Sequence, residues 1–325
     1  MPEPATDDPV ATDAEPAAED ALAEAEAPAA GSTVAALAEE VETAPTRKLK
    51  IIRWVSIVWL AGITLAALLA SWLPLPDPDR SYLEIVRVGP VQPGHLLGGD
   101  GNGRDMLSRV IFGARTSLWI SVGAVGLGFL VGGVLGLVAG YFRGKVDTVV
   151  SMLFNVLLSI PALVLALSLV AVFASAEQDV SNARKMNVII LALAIVTVPL
   201  IGRIARASTL SWSEREFVRA AEVLGASHLR IMVREVLPNV LPAMASIALL
   251  GIAVAIVAEG SLALLGVGVR DVPSWGNMIA DGRSDLARAP HIVAVPSIAT
   301  FLTVMALNYL GDVVRARFDV REGGL

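Results

Sequence analysis

Apolar residues are gathered along this chain into six long runs that alternate with polar connections. The runs cover residues 51–73, 116–140, 148–173, 187–206, 240–265 and 292–311. A helix needs about 20 apolar residues to cross a bilayer, because the hydrocarbon is ~30 Å thick and each helical residue rises ~1.5 Å. The pattern therefore predicts an all-α membrane protein with about six transmembrane helices.

Proline and glycine add detail to these predicted helices. Pro74 closes the first run, whereas Pro161 and Pro199 lie inside the third and the fourth. The second run carries a glycine at every fourth position over residues 128–140. Residues spaced by four share one face of a helix, so these glycines form a smooth ridge. The ridge predicts that the backbone of a neighbouring helix approaches closely.

The composition agrees with a membrane protein and sets one acidic segment apart. Hydrophobic residues make up 55% of the chain and charged residues 17%, whereas about a quarter of a soluble domain is charged. Residues 1–46 contain twelve of the 31 acidic residues and no Lys or Arg. We expect a disordered acidic tail there and no signal peptide, since a signal peptide opens with basic residues. Cysteine is absent, which excludes disulfides, thiolate metal ligands and thiol nucleophiles.

The distribution of Lys and Arg predicts the orientation in the membrane. If the N-terminus lies inside, the inner segments hold 15 basic residues and the outer segments 10. Six arginines lie within residues 203–234 alone, which is the strongest signal of any connection. Basic residues concentrate on the cytoplasmic side of membrane proteins. The sequence thus predicts that both termini and the connection between the fourth and fifth runs are cytoplasmic.

That inner connection, residues 213–238, has the pattern of two short helices joined by a tight turn. Ser213 with Glu216 fits a capping box at a helix start. Gly225 suits the left-handed turn that ends such a helix after Leu224. Ser227 is placed to cap a second helix, which we expect to end before Pro238. Two alanines, at 220 and 221, leave room for another protein surface to approach, with charged side chains beside them.

This segment resembles the "EAA" coupling loop of ABC importer permeases. In that loop Glu-Ala-Ala is followed by three residues, Gly, nine residues, Ile, one residue and Leu-Pro. The matching residues here are Arg219-Ala220-Ala221, Gly225 and Leu237-Pro238, with Arg219 and Glu235 replacing the family's acidic residue and Ile. The resemblance implies that residues 213–238, hereafter the coupling loop, dock on an ATPase subunit and transmit its motion. The residues implied in this contact are Glu216, Arg219, Ala220, Ala221, Glu222, Gly225, Leu237 and Pro238.

The resemblance covers residues 47–325 and is closest to the C-type (DppC/OppC-like) permeases of dipeptide and oligopeptide importers. The segments that carry it are His95–Arg109, Gly113–Leu118, Leu158–Pro161, Ala258–Leu262, Pro273–Met278 and Leu310–Asp312. It implies a type I, MetI-like permease core over residues 116–325, preceded by a first transmembrane helix and outer segment over 47–115. The sequence departs from the family at Met152 and Asn155, where relatives often carry an Arg and an Asp. The outer connection before Pro273 also looks shorter than in relatives.

The function implied by this resemblance is import of di- or oligopeptides by alternating access, with haem or nickel complexes as other possible cargoes. The implied partners are a B-type permease in a heterodimer, one or two ATP-binding subunits and an extracytoplasmic solute-binding protein. The chain has no P-loop motif, so ATP and Mg belong to the partner subunits and the chain itself is not an enzyme. No nucleic acid and no bound cofactor are expected. A metal site is not expected either, because the three histidines lack ligand spacing. The predicted location is the cytoplasmic (inner) membrane, as a multi-pass protein in the lipid bilayer.

Polar or helix-breaking residues within the apolar runs are candidates for the translocation path or for helix packing. They are Asn155, Ser159, Pro161, Glu259 and Asn308. An intramembrane carboxylate such as Glu259 is a functional hypothesis by default. For Glu259, hydrogen bonding between helices ranks slightly above contact with substrate. For Asn155 and Asn308, interhelical hydrogen bonds are the favoured interpretation.

Other functional classes remain as alternatives. A secondary transporter would show ion-coordinating residues at the midplane and internal repeats, yet the runs contain few ionisable groups. An intramembrane enzyme would need paired catalytic residues, and none lie within the runs. Residues 216–234 also resemble a DNA-reading helix-turn-helix, and Gly225–His228 faintly resembles the serine motif of intramembrane proteases. The hydrophobic spans on either side of residues 216–234 disfavour a DNA-binding motif. The protease interpretation is disfavoured because Gly225–His228 lies in a polar connection and not within a span.

Overall fold

The computed structural model describes residues 46–174, 181–269 and 272–322. The predicted acidic tail lies outside them. The chain divides after Ile52, and the packing described below lies within Arg53–Leu325. The helices are α1 (Thr46–Leu68), α2 (Met106–Phe142), α3 (Gly144–Ser159), α4 (Ala162–Ala174), α5 (Asn182–Trp212), α6 (Glu216–Val223), α7 (His228–Ile231), α8 (Leu237–Leu264), α9 (Trp275–Gly282) and α10 (His291–Glu322). Short 3₁₀ turns cover Leu83–Ile85 and Arg283–Asp285, and a π turn covers Met232–Val236.

Five of these helical stretches are long and apolar enough to cross a membrane. They are α1, α2, α5, α7 with α8, and α10, while α3 and α4 together make a sixth that is bent by 87°. Strands are absent from the described ranges, which contain only isolated β-bridges. The prediction of an all-α membrane protein with about six spans is confirmed. The orientation of the termini stays a prediction.

The third predicted span, 148–173, is not one straight helix. It breaks at Ile160, whose backbone is extended at φ −92° and ψ 129°, and α4 begins after Pro161. A proline disfavours the helical conformation of the residue before it and cannot donate a backbone hydrogen bond. Pro199, by contrast, lies inside an uninterrupted α5. The first span also ends earlier than predicted, because α1 stops at Leu68 and residues 69–73 form turns.

The closest helix contact joins α2 to α5 along the glycine ridge. A methyl group added at Gly132 would overlap the carbonyl of Val198, and one added at Gly136 would overlap the carbonyl of Gly202. Gly140 faces the α5 residue Thr209 in the same way, with its side chain 2.7 Å from an added Cβ. The ridge predicted from the spacing is therefore confirmed, and its neighbour is α5.

The polar segment before α2 fixes the first turn of that helix through hydrogen bonds. Asp105 is the N-cap of α2, and its carboxylate accepts a 2.7 Å hydrogen bond from the backbone N–H of Ser108. The same carboxylate lies 2.8 Å from Nδ1 of His95. Trp275 at the start of α9 is buried and donates from its indole N–H to the carbonyl of Val110 at 3.0 Å. The start of α2, the end of α8 and α9 thus form one end of the bundle, and the coupling loop lies at the other.

Candidate coupling site

The first half of the coupling loop is the helix α6 and the turn that ends it. Gly225 has a φ of +79°, in the left-handed region. The N–H of Gly225 bonds to the carbonyl of Glu222 at 2.9 Å, and that of Ala226 bonds to the carbonyl of Ala221 at 3.0 Å. These bonds satisfy carbonyls at the end of α6 in the manner of a glycine-terminated helix. The left-handed turn predicted at Gly225 is confirmed.

The predicted capping box at Ser213 is wrong. Helix α5 continues to Trp212, and Ser213 ends it, with its N–H bonded to the carbonyl of Thr209 at 2.9 Å. The hydroxyl of Ser213 donates to Leu210, not to the start of α6. The N-cap of α6 is Arg215, which makes no side-chain capping bond. Because α5 extends to Trp212 and Ser213 is its C-cap, only Glu214 and Arg215 connect it to α6.

The second half of the loop also differs from the prediction. Ser227 occupies the N-cap of α7 but makes no side-chain capping bond. Pro238 does not end a separate helix, because α7, the π turn and α8 run on continuously. The π turn gives the N–H of Leu237 a partner in the carbonyl of Met232. A wider turn just before Pro238 relieves the clash that a proline ring makes with the preceding turn.

One face of α6 is anchored and the other is open. Val218 is 1% exposed and packs in a cluster with Ile231, Ile201 and Leu137. On the opposite side Val223 is 89% exposed and Leu224 is 86% exposed. Apolar side chains this exposed, within a polar surround, are typical of a protein interaction site.

Most of the predicted contact residues are exposed to solvent. Glu216, Arg219, Ala220, Glu222, Gly225 and Pro238 are exposed, and Ala221 and Leu237 are half-buried. The sequence pattern missed the two most exposed apolar side chains of the coupling loop, Val223 and Leu224. Their position beside the terminating glycine was the available signal.

Polar contacts also join α3 to α5 near the coupling loop. Asp147 accepts two bonds from the guanidinium of Arg206, one of them 2.7 Å long. Further along α3, Oδ1 of Asn155 accepts a 2.6 Å bond from Arg203. Ser159 is the last residue of α3, and its hydroxyl bonds to Val156. Asn155, Ser159 and Pro161 all have exposed side chains.

Glu259 lies far from the coupling loop, at the junction of α2, α8 and α9. Its side chain is 1% exposed. One carboxylate oxygen accepts a 2.8 Å bond from the hydroxyl of Ser274, and the other accepts a 3.2 Å bond from that of Ser117. Ser117 in turn accepts a bond from the backbone N–H of Trp275 at 3.1 Å. Glu259 therefore joins three helices through buried hydrogen bonds, and the pattern of single residues did not identify its serine partners.

Asn308 in α10 is placed differently from Asn155. Its Oδ1 is buried, and the part of the chain that the structure describes offers it no hydrogen-bond partner. The structure thus places Asn155 and Ser159 on α3 and Pro161 in the break that follows it, and it leaves Glu259 and Asn308 apart from them. Within the described ranges, no group of three or more His, Asp or Glu residues is arranged to hold a metal ion.

Comparison with known proteins places these features in a family. A family model described as "Binding-protein-dependent transport system inner membrane component" matches residues 132–322. A glutathione transport permease, GsiD, of Pectobacterium atrosepticum is 33% identical over 79% of this chain and 84% of its own length. A dipeptide transport permease, DppC, of Alkalihalophilus pseudofirmus is 34% identical over 81% of this chain and 85% of its own.

Two solved structures share the fold. An inward-facing MetNI methionine ABC transporter chain has a TM-score of 0.53 at 18% identity, covering 65% of this chain and 97% of that one. A chain of an amino acid ABC transporter has a TM-score of 0.50 at 17% identity, covering 65% and 94%. At these identities the likeness concerns the fold.

Proposed function

The chain belongs to the family of binding-protein-dependent transport system inner membrane components, and from this premise we propose a peptide as its cargo and the coupling loop as its ATPase contact. It is a permease subunit of an ABC importer, a multi-pass protein of the cytoplasmic membrane. In this family ATP hydrolysis belongs to a separate ATPase subunit, so the chain is a transporter component.

The proposed cargo is a short peptide. Relatives named as dipeptide, di/tripeptide and glutathione permeases are 33–34% identical to this chain over 79–81% of its length. All three names denote small peptides. Haem and nickel complexes, the other cargoes left open by the sequence, have no support among these relatives.

The proposed ATPase contact rests on one observation, the open apolar face of α6. Val223 and Leu224 project from a helix whose opposite side is fixed by buried Val218. An apolar surface on a helix whose other side is closely packed can transmit a displacement, because close packing resists deformation. The proposed contact residues are Glu216, Arg219, Ala220, Ala221, Glu222, Gly225, Leu237 and Pro238, together with Val223 and Leu224.

This contact sets the proposed orientation and partners. If α6 meets an ATPase, the coupling loop and both termini are cytoplasmic, in agreement with the distribution of Lys and Arg. A solute-binding protein would then deliver cargo at the end formed by α9. We propose a B-type permease as the second membrane subunit, in a heterodimer with this chain.

The break between α3 and α4 is the proposed position of the translocation path. Backbone groups outside a helix are tolerated at membrane depth only where protein covers them or water reaches them. The exposed Asn155, Ser159 and Pro161 follow this rule if they face the second permease and the aqueous path between the two subunits. Alternating access would open that path to one side at a time, as ATP and the loaded binding protein favour different states.

The test is purification of the tagged chain from its own host in a mild detergent. We expect a second permease and a P-loop ATPase to copurify in a fixed ratio. A cysteine introduced at Leu224 should cross-link to the ATPase, and one at Trp72, which lies far from α6 in the sequence and is also highly exposed, should not. Recovery of the chain alone, with no ATPase cross-linked at Leu224, would refute the proposed contact.

Cargo is tested separately, in proteoliposomes that contain the copurified complex and its binding protein. We expect ATP-dependent uptake of radiolabelled alanyl-alanine, and no uptake of free alanine. Equal uptake of both compounds, or of neither, would refute the peptide assignment and leave the ATPase contact standing.

A further inference from the structure

The turn between α2 and α3 has an unusual backbone. Arg143 is the single residue between Phe142 and Gly144, and it has a φ of 55° and a ψ of −160°. This combination is found almost only for glycine, because a Cβ atom clashes there with the backbone. Gly144 follows with a φ of 53°. The turn thus holds an arginine where a glycine would adopt the same conformation without strain.

The side chain of Arg143 reaches the start of the coupling loop. Its guanidinium donates to a carboxylate oxygen of Glu214 at 2.9 Å and to the hydroxyl of Ser213 at 3.3 Å. Ser213 and Glu214 directly follow α5 in the chain. Both ends of the ion pair are solvent-exposed, at 46% for Arg143 and 62% for Glu214.

The same turn contacts the far end of the loop segment. The hydroxyl of Tyr141 lies 3.1 Å from Nδ1 of His228, and the ring of Phe142 lies 6.0 Å from the ring of His228. His228 is the first residue of α7, where the chain enters the continuous helix to α8. Residues 141–144 therefore touch both ends of segment 213–228, and α6 lies between those ends.

We propose that Arg143 is a positioning residue that holds the start of segment 213–228 against the α2–α3 turn, while Tyr141 and Phe142 contact its other end at His228. A displacement of α6 by the ATPase then moves α2 and α3 together with α5 and α8. This inference rests on the proposed ATPase contact and adds a second route from it into the membrane helices.

The energetics favour a positional role over a stabilising one. An exposed ion pair contributes little to folding, because water and salt screen it and two long side chains must be ordered. A strained residue persists where the surrounding structure determines its conformation, and such residues are concentrated at switch regions. Loss of the guanidinium should therefore loosen the loop without unfolding the protein.

The experiment compares variants of the complete importer in proteoliposomes, with radiolabelled alanyl-alanine as cargo. Arg143→Gly removes the guanidinium and the backbone strain, whereas Glu214→Gln removes the ion pair and leaves the turn unchanged. Both should raise the number of ATP molecules hydrolysed per dipeptide imported by about twofold to fivefold, the lower part of the range for substitutions that alter coupling between sites. Thermal stability should not fall in either variant.

Rescue separates positioning from a general defect. Arg143→Lys keeps a cation and should retain most of the coupling, and the exchange of Arg143→Glu with Glu214→Arg should restore it. Lys145→Ala is the matched control, since it removes an exposed cation two residues away and should leave the ratio unchanged.

Each result decides between the two proposals. An unchanged ratio in both Arg143→Gly and Glu214→Gln overturns the inference, as does an equal rise in Lys145→Ala. If Arg143→Gly does not assemble, Glu214→Gln and the charge exchange decide alone. If Gly225→Val uncouples uptake and the Arg143 and Glu214 variants do not, the coupling loop stands and only the inference falls. If none of these variants changes the ratio, the proposed role of the coupling loop falls as well.

Discussion

The two ends of the helix bundle are held together by opposite kinds of contact. Around Glu259 the polar groups are buried, and each of Ser117, Ser274 and Trp275 contributes a hydrogen bond. Around the coupling loop the polar contacts are more accessible to water: the pair of Arg143 with Glu214 is exposed, and that of Asp147 with Arg206 is half-buried. Buried, satisfied networks make a structure rigid, whereas exposed ion pairs form and break at little cost. The difference predicts that the Glu259 end is the more rigid of the two and that the polar contacts beside the coupling loop rearrange more easily.

The largest expected effect is loss of the buried carboxylate. Glu259→Ala should lower the free energy of unfolding by about 2–4 kcal/mol, because it leaves a cavity and two buried hydroxyls without their acceptor. Thermal unfolding of the detergent-solubilised protein, followed by tryptophan fluorescence, measures this. Glu259→Gln keeps an acceptor oxygen and should cost less than half as much. Equal losses in the two variants would contradict the hydrogen-bonding role.

The next effect concerns the α2–α5 contact, which joins the two ends. Gly136→Ala would place a methyl group against the carbonyl of Gly202, with Ala205 and Arg206 within 2.9 Å. Overpacking of this kind costs about 1–3 kcal/mol. Gly126→Ala is the control in the same helix, since nothing lies within 4 Å of the added group. If both substitutions gave the same melting temperature, α2 and α5 would not be in close contact in the protein.

A smaller stability effect and a large functional one are expected at Gly225. Gly225→Val forces a β-branched residue into a left-handed conformation at a local cost of about 1–2 kcal/mol. Uptake should become uncoupled from ATP hydrolysis while membrane insertion is retained. Gly225→Asn, which tolerates this conformation, should keep most of the uptake. Uptake and substrate-stimulated ATPase activity of Gly225→Val are the measurements, and normal values for both would refute the role of the turn.

The smallest change in stability is expected at Glu214. Glu214→Ala should alter the free energy of unfolding by less than about 0.5 kcal/mol, because its ion pair is exposed. The same fluorescence measurement as for Glu259 gives a direct comparison of the two ends. A loss near that of Glu259→Ala would show that the coupling-loop end is as rigid as the other.

Helix type and helix packing were predictable from local sequence, because hydrophobic run length and glycine spacing directly reflect membrane thickness and close approach. Whether each proline would interrupt its helix was not predictable. Pro161 and Pro199 both lie inside apolar runs, yet only the first interrupts its helix. Helix α5 is supported along its length by the glycine ridge of α2, whereas much of α3 is exposed around Met152 and Val156. Tertiary packing decided the outcome.

In the candidate site, too, local features were predictable from the sequence and features set by tertiary packing were not. The left-handed Gly225 was predictable because a local backbone requirement is carried by one residue. The role of Ser213 was not, since it depended on where α5 ends. The partners of Glu259 were also hidden, because Ser117 and Ser274 lie 142 and 15 residues away in the sequence.

The unbroken course from His228 to Leu264 makes the fifth span a lever. Its 37 residues extend about 55 Å at the rise of an α-helix. A tilt of about 5° at the coupling loop would move the far end by roughly 5 Å, over a helix of that length. The far end contains Glu259, whose hydrogen bonds attach α9 and the start of α2. A small angular change at one membrane face would thus become a linear displacement of the Glu259 end at the other.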